Sequence, residues 1–387
     1  MSRILTFISL LAALLATGCA EYDKILSRPD ERELPGYNGN SSRQRVLSVL
    51  WRLQLVDPDT FSSEYHHHGT PAVSADGSRI FVGAFDGSIY CLMAEDGSIL
   101  WRKMTRGPVE SQPSLCGGVV YVGSSDGNLY ALRMSDGKEL FSHNLPGAVS
   151  GRPVVTGDKV LVMTDVNSLV CLNAQTGKWL WNYRRNIPAG RFQVKGVADP
   201  LVRNGIVYAG FSDGFLVTLS LEDGSVQNTK HLSGKEDHFD DIDSSPVFVD
   251  GSLITGTFGQ GIFSLDPLSL SEQWKYSTEG PSSIEVDDDM LYFTTASSKI
   301  VALKAGDGSP KWLFSAKKGQ LSRPVSCGRW LLASSEEYSM IVLERESGKL
   351  VQIFNPGKGA NGAPSVHANR VYWLSNGATL YAMALTQ

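Results

Sequence analysis

The chain lacks the features that mark several common classes of protein. No segment has a sustained helical period, which excludes a helix bundle. The five cysteines include no CxxC pair and no metal-ligand spacing, so neither a zinc site nor a dithiol redox site is indicated. The net charge is −5 and no basic stripe with interleaved aromatic residues is present, so no nucleic-acid partner is predicted.

The chain instead contains a sequence motif that recurs about every 42 residues, and such a period indicates stacked repeat units. Each copy runs from a proline through apolar strands and an Asp-Gly turn to a second turn glycine, which tryptophan often follows four residues later. The prolines are Pro71, Pro113, Pro153, Pro200, Pro246, Pro324 and Pro364. The glycines are Gly97, Gly137, Gly177, Gly224, Gly308 and Gly348, and the tryptophans are Trp101, Trp181, Trp274 and Trp312. Asn228 replaces the tryptophan in one copy, and Leu270 replaces the glycine in the next.

Each copy predicts a four-stranded antiparallel blade. Asp-Gly between apolar runs is a strong hairpin signal, and near-continuous apolar middle strands fit sheets that are covered on both faces. Seven copies are complete, whereas the eighth begins at Pro364 and ends one strand short. Leu50–Leu53 can supply the missing outer strand, because joining both termini in one blade leaves no free sheet edge. The sequence therefore predicts an all-β fold, an eight-bladed β-propeller closed by the N-terminal strand.

Four of the five cysteines fall within the ring. Cys91 and Cys171 share a register in the first and third copies, whereas Cys116 and Cys327 lie near corresponding turns of distant copies. A disulfide between them would require the two blades to be neighbours. We therefore predict buried free thiols.

The first residues form a different kind of segment. Arg3 precedes an apolar stretch, Ile4–Ala16, which is too short to span a bilayer and has the length of a signal-peptide core. Small residues then lead to Cys19, as in a bacterial lipobox, and Ala20 after the cysteine favours the outer membrane. The predicted organisation is a lipoprotein signal peptide at 1–18, a lipidated N-terminus and polar tether at 19–45, and the propeller at 46–387. Such a tether would span on the order of 25–30 Å.

The connections between blades differ in length. Most run 12 residues from the tryptophan position to the next proline, but 20 separate Trp51 from Pro71. The connection from Trp181 to Pro200 takes 19 residues and the one from Asn228 to Pro246 takes 18. These two follow consecutive blades and emerge on the same face, so we call them the first and second long connections. Extra length in loops on a rigid scaffold commonly serves recognition.

The two long connections carry complementary chemistry. The first contains Arg184, Arg185, Arg191 and Lys195, with Phe192 and Val194 alternating in an extended piece. The second contains Glu236, Asp237, Asp240, Asp241 and Asp243. One interpretation is a pair of solvated loops joined by weak surface ion pairs. The other is a docking surface with apolar anchors and charges that fix the register.

The lipobox, the eight repeats and the stretch Phe239–Val247 (FDDIDSSPV) resemble the BamB family, the lipoproteins of the β-barrel assembly machinery. The resemblance covers essentially the whole chain. It implies a non-enzymatic scaffold on the periplasmic side of the outer membrane, with BamA, through its periplasmic POTRA domains, and other subunits of the machinery as partners. Nascent outer-membrane proteins stay open as further partners.

The same resemblance implies a contact site for BamA. By position, the partner-binding residues are Phe192, Val194 and Lys195 in the first long connection and Asp241 and Asp243 in the second. This chain has Phe-x-Val-Lys where the family has Leu-x-Leu-Arg. The apolar character is kept, but lysine cannot form the bidentate fork of arginine.

Two other functions compete with the scaffold. Quinoprotein dehydrogenases use eight-bladed propellers with similar tryptophan repeats. A generic propeller could instead bind a glycan or peptide on its opposite face or in an axial funnel lined by exposed aromatics. No adjacent cysteine pair and no carboxylate–amide calcium set is evident, so we predict no catalytic residue, no cofactor and no metal. The run His66–His68 is interpreted as surface histidines, because successive strand residues face opposite ways.

Overall fold

The computed structural model describes residues 45–56, 69–186, 198–232, 241–316 and 318–386. Within these ranges the chain forms 32 β-strands and no helix. It follows that no described segment is a helix long and apolar enough to cross a membrane. The strands form eight four-stranded antiparallel sheets, so the predicted eight-bladed propeller is confirmed.

The strands of each blade are given from the ring axis outward. Blade 1 contains β2 (Ala72–Val73), β3 (Arg79–Gly83), β4 (Ser88–Met93) and β5 (Ile99–Met104). Blade 2 contains β6 (Ser114–Cys116), β7 (Val119–Gly123), β8 (Asn128–Arg133) and β9 (Glu139–Asn144). Blade 3 contains β10 (Val154–Thr156), β11 (Lys159–Thr164), β12 (Ser168–Asn173) and β13 (Trp179–Arg184). Blade 4 contains β14 (Leu201–Arg203), β15 (Ile206–Gly210), β16 (Phe215–Ser220) and β17 (Val226–His231).

The second half of the ring follows the same plan. Blade 5 contains β18 (Ser244–Val249), β19 (Ser252–Thr257), β20 (Gly261–Leu265) and β21 (Glu272–Tyr276). Blade 6 contains β22 (Glu285–Asp287), β23 (Met290–Thr294), β24 (Lys299–Lys304) and β25 (Pro310–Ser315). Blade 7 contains β26 (Val325–Cys327), β27 (Trp330–Ser335), β28 (Ser339–Glu344) and β29 (Leu350–Phe354). Blade 8 contains β30 (Ser365–His367), β31 (Arg370–Leu374), β32 (Thr379–Leu385) and, as its outer strand, β1 (Leu47–Gln54).

The pairing of β1 with β32 closes the ring. The two strands run antiparallel, with Trp51 opposite Ala382 and Leu53 opposite Leu380. This confirms that the N-terminal strand completes the last blade. The hydrophobic core is divided into clusters, each filling the space between two consecutive blades, including the one between blade 8 and blade 1. Burial on both faces explains why the middle strands are almost uniformly apolar.

The repeated tryptophan and glycine meet across most of the seams between blades. The indole of Trp101, on blade 1, donates through Nε1 to the backbone oxygen of Met134 on blade 2 at 3.0 Å. Its ring lies over Gly137, where an added Cβ would come within 2.7 Å of it. Gly137 also has a φ of +70°, so this position requires glycine both for its backbone and for its contact. Trp51, Trp181, Trp274 and Trp312 form the same pair with the next blade.

The seam between blades 4 and 5 is built differently. Asn228 stands in the tryptophan place and donates through Nδ2 to the backbone oxygen of Leu268 at 3.1 Å. Leu270 stands in the glycine place with a φ of +57°, and its side chain is 1 % exposed within the core of this seam. At this seam the large apolar side chain therefore comes from blade 5, whereas at the regular seams it comes from the preceding blade.

The cysteine prediction is only partly right. The four described cysteines are free thiols, and Cys91 and Cys171 are buried, which raises the pKa of each to about 12. Cys116 is exposed, however, and Cys327 is half-buried. Both lie at the turn between the first two strands of a blade, where the hairpin tip leaves the sheet. Cys327 is partly covered there by blade 8, since its Sγ lies 3.5 Å from the backbone oxygen of Ala368. Cys19 lies outside the described residues.

Candidate functional site

The long connections leave the ring on one face, which we call the connection face. There the residue after each outer strand meets the turn between the second and third strands: Arg185 donates its amide to the Asn167 oxygen at 3.1 Å, and Leu232 donates to Gly214 at 3.0 Å. Phe192, Val194 and Lys195 lie outside the described residues, as do Arg191 and the run His66–His68. Asp241 and Asp243 are described. They lie where the second long connection enters blade 5.

The segment Asp241–Asp243 is pinned between blades 4 and 5 by its middle residue. Ile242 is 2 % exposed and packs against Gly210, where an added Cβ would come within 2.3 Å of the isoleucine side chain. Its amide donates to Phe211 at 3.2 Å, while the oxygen of Asp241 accepts from the amide of Phe258 at 2.9 Å. The backbone that carries the two aspartates is therefore held in place at this seam.

This pinning is a property of the repeat. Val109 packs on Gly83 in the same way between blades 1 and 2, and Val149 packs on Gly123 between blades 2 and 3. An apolar residue four positions before the blade proline thus fills the same place at these three seams. A pair of flanking aspartates is particular to the seam between blades 4 and 5, since Val109 has a single acidic neighbour, Glu110, and Val149 has none. The apolar residue between the two aspartates serves the fold. Asp241 is itself 1 % exposed, whereas Asp243 is half-buried, so Asp243 is the carboxylate that a partner could reach.

Burial and the neighbouring Asp241 raise the pKa of the Asp243 carboxyl to about 7. Within the part of the chain that the structure describes, no lysine or arginine forms an ion pair with Asp243. A carboxylate in such a place is destabilised when it is ionised, and an approaching cation lowers its pKa again. A basic group placed beside Asp243 would therefore be stabilised.

Arg185, from the other long connection, is already engaged within the propeller. Its Nε lies 2.6 Å from Oδ2 of Asp213, which belongs to the turn between β15 and β16 of blade 4. Its guanidinium lies 3.9 Å from the centroid of the Phe215 ring, and that ring lies 4.7 Å from the ring of His231. The interpretation that the two connections pair mainly with each other is therefore wrong for this arginine. Arg184 is exposed.

Sequence reasoning missed Asp213, Phe215 and His231, although one signal was present. The place of Phe215, at the start of the third strand, is small or polar in the other blades. It holds Ser88, Asn128, Ser168, Gly261, Lys299, Ser339 and Thr379. A lone aromatic residue at such a place marks the one blade that lies between the two long connections.

The ring axis holds a cavity of about 630 Å³ with a polar lining. Arg152 pairs with Asp199 through a backbone hydrogen bond of 2.8 Å and a guanidinium contact of 3.6 Å, and Arg323 pairs with Glu285 at 2.8 Å. Burial raises the pKa of Asp199, and Arg152 opposes that shift. The described residues that line the cavity include no Phe, Tyr or Trp, so the aromatic funnel of a generic ligand-binding propeller is not found there.

The axial charges also bear on a quinone or calcium site. These charges form ion pairs with each other. Within the described residues, no group of three His, Cys, Asp or Glu side chains converges on a point that could hold a metal ion. These residues do not fit a quinone–calcium centre on the axis.

Comparisons with known proteins agree with the fold. A solved quinohemoprotein alcohol dehydrogenase from Comamonas testosteroni shares the fold with a TM-score of 0.71 at 13 % identity, over 92 % of this chain and 78 % of that one. The BamB structure from Moraxella catarrhalis matches with a TM-score of 0.75 at 20 % identity, over 88 % of this chain and all of that one. The outer membrane protein assembly factor BamB of Yersinia pestis is 25 % identical over 341 residues, 86 % of this chain and 76 % of that protein.

The family model described as outer membrane protein assembly factor BamB matches residues 48–134 and 113–314. Together these ranges span more than half of the chain, from the outer strand of blade 8 to the last strand of blade 6. The chain belongs to the BamB family of outer membrane protein assembly factors.

Proposed function

We propose that this protein is a scaffold subunit of the outer-membrane β-barrel assembly machinery and has no catalytic activity of its own. It binds the periplasmic POTRA region of BamA through the connection face over blades 3 to 5. Membership of the BamB family supports the assignment to the machinery. The observation that carries the site is Asp243, a largely buried carboxylate with a pKa of about 7, on a segment that Ile242 locks to the ring.

The scaffold role follows from how the carboxylates are held. A rigid segment loses little conformational entropy when a partner binds, so more of the interaction energy appears as affinity. Asp243 then gains a counter-charge that the described part of the protein does not supply. Phe192 and Val194 provide the apolar anchors from the neighbouring connection, and Lys195 provides a charge at their edge. Anchors at the centre of an interface commonly dominate its energetics, whereas charges at the edge contribute less.

The protein acts from the outer membrane. Cys19 carries the lipid and residues 20–45 form the tether, so that the ring stands in the periplasm on the order of 25–30 Å from its anchor. The family's role in outer-membrane assembly supports this location. Replacing Cys19 with serine and fractionating membranes tests the anchor, since an unlipidated ring should leave the membrane fraction.

The partner site is tested by measuring binding of purified BamA POTRA domains to the propeller. Phe192→Ala should weaken binding by roughly 30-fold, since an anchor residue commonly contributes about 2 kcal/mol and each 1.4 kcal/mol corresponds to tenfold. Asp243→Ala should weaken it by about tenfold or more, because a partner cation would be left without its counter-charge. The affinity of the wild-type protein should also rise with pH through about 7, as Asp243 ionises.

The matched control is Glu110→Ala. Glu110 stands three residues before Pro113, as Asp243 stands three before Pro246, but it borders a short connection of blade 2. It should bind like wild type. A triple variant of Phe192, Asp241 and Asp243 to alanine that still binds POTRA domains normally removes this face as the partner site.

A further inference from the structure

Blade 4 carries a cluster of side chains that touches the start of both long connections. Arg185 is the first residue after the outer strand of blade 3, and His231 is the last residue of the outer strand of blade 4. Between them lie Asp213 and Phe215, on either side of the turn that leads into β16. We call Arg185, Asp213, Phe215 and His231 the blade 4 clamp.

The clamp contacts form a continuous chain from one connection to the other. The guanidinium of Arg185 bonds Asp213 on one side and stacks on Phe215, while its Nη1 lies 3.4 Å from the hydroxyl of Tyr183. The Phe215 ring also contacts His231, whose Nε2 lies 3.1 Å from the backbone oxygen of Asp213. Moving either end would therefore break contacts that hold the other end.

We propose that the blade 4 clamp fixes the two points at which the chain enters the long connections, Arg185 and Leu232, and that its members are positioning residues for the partner surface. This inference rests on the proposed function, since it concerns how the two halves of the BamA site are held. The clamp residues themselves need not touch the partner. They fix where the chain leaves blade 3 and where it leaves blade 4.

The burial of the charges supports a positioning role over a surface ion pair. The Arg185 and Asp213 side chains are 20 % and 11 % exposed, whereas the comparable pair Arg102–Asp86 of blade 1 is 47 % and 23 % exposed. Shielded charges are screened less by salt, and a planar guanidinium that is both bonded and stacked has little freedom to move. The blade 4 pair therefore holds its geometry more firmly than an exposed pair does.

Comparison with the other blades shows that the clamp is an addition to the repeat. The residues in the place of Arg185 are uncharged elsewhere, for example Thr105 after blade 1, Leu145 after blade 2 and Ala316 after blade 6. Phe215 replaces a small or polar residue, and it faces His231 directly across the β16–β17 pair. These departures occur together at the one blade flanked by both long connections.

The test uses Phe215→Ser, which installs the residue that three other blades carry at this place. We expect amide exchange to accelerate by about tenfold at both Arg185 and Leu232, the described residues that open the two connections, since both lose the ring that joins them. Binding of POTRA domains should weaken about 5- to 10-fold, because the partner must then order the connections itself. The melting temperature should change little, and Phe215→Tyr should restore both exchange and binding.

Arg102→Ala is the matched control, because it removes an arginine that bonds Asp86 at 2.8 Å and lies 5.3 Å from the ring of Tyr90, away from the long connections. It should leave binding unchanged.

If Phe215→Ser lowers the melting temperature sharply, Arg185→Gln serves instead, with the same expected exchange and binding. Faster exchange at only one connection, or at neither, overturns the clamp. Faster exchange at both with normal binding overturns its positioning role. If wild-type protein fails to bind POTRA domains, the proposed function is wrong, while the exchange data still decide whether the clamp exists.

Discussion

The seams on either side of blade 2 and the seam between blades 4 and 5 meet the same packing requirement with different side chains. At the regular seams a large aromatic ring from one blade lies over the turn glycine of the next, as Trp101 lies over Gly137 and Phe141 over Gly177. At the seam between blades 4 and 5, a leucine from the second blade fills the space and an asparagine replaces the ring. The regular seams follow the repeat, whereas the exceptional one lies beside the second long connection.

The comparison separates residues that the blade repeat explains from residues that depart from it. Where a blade follows the repeat, each side chain has a counterpart in the other blades, and packing is enough to account for it. Around blades 3 to 5, Phe215, Asn228 and Leu270 depart from their counterparts. The departures around blade 4 therefore support the proposed partner face.

The strongest way to break a regular seam is to add a methyl group to its glycine. In Gly137→Ala the new Cβ would come within 2.7 Å of the Trp101 ring at a φ of +70°, so the indole must leave its place. We expect a loss of about 3 kcal/mol or more, measured by chemical denaturation, as backbone strain adds to lost packing.

Gly117→Ala isolates the backbone contribution to that loss. Gly117 has a φ of +56°, but an added Cβ would meet nothing within 4 Å. This variant should lose only about 1–2 kcal/mol, the ordinary penalty of a left-handed residue. Equal losses in the two variants would show that the indole contributes nothing to the seam.

The exceptional seam can be converted into a regular one. Leu270→Gly alone should cost about 2–5 kcal/mol, because it removes a buried leucine. Asn228→Trp alone should also lower stability, because it places an indole in the space that Leu270 already fills. Together the two changes rebuild the ring-over-glycine pair, with the indole donating to the oxygen of Pro267, so the double variant should recover about 1–3 kcal/mol relative to the sum of the single losses. Additive losses would show that this seam is not a rearranged copy of the others.

The regularity of the repeat decides how much could be predicted from sequence. The blade count, the closing strand β1 and the docking of Trp101 and Trp181 follow from periodic patterns, because one local solution is used throughout the ring. The blade 4 clamp could not be predicted in the same way, since its contacts depend on which turns come together on the connection face. The spacing of the long connections and the Asp-x-Asp motif indicated the site, but the burial that raises the pKa of Asp243 is a tertiary property. The same limit explains Cys116, whose exposure depends on the end of a hairpin rather than on its register.

The smallest expected effect concerns Asp243 at the exceptional seam, where the ionised aspartate should lower the stability of the folded protein. The pKa of Asp243 is about 7 in the folded protein against 3.8 for a free aspartate, so the folded state binds a proton more tightly than the unfolded chain between these values. Stability must then fall as pH rises through this window, because the carboxylate ionises at a cost that the unfolded chain does not bear. Asp243→Asn should match the wild-type protein near pH 4 and exceed its stability at pH 8 by on the order of 1 kcal/mol, since Asp243 is not fully shielded from water. Thermal melts at the two pH values measure this, with Glu110→Gln as the matched control.

Binding should move in the opposite direction, and this distinguishes a site from a packing defect. Asp243→Asn keeps the shape of the side chain but removes the charge that a basic partner group would meet, so a more stable protein should bind POTRA domains less tightly. Residues kept for function commonly lower stability in this way. An asparagine variant that is less stable than wild type at pH 8 would instead mean that Asp243 already has a cation partner within the protein. The carboxylate would then be part of the seam, and the difference between this seam and the regular ones would be one of packing alone.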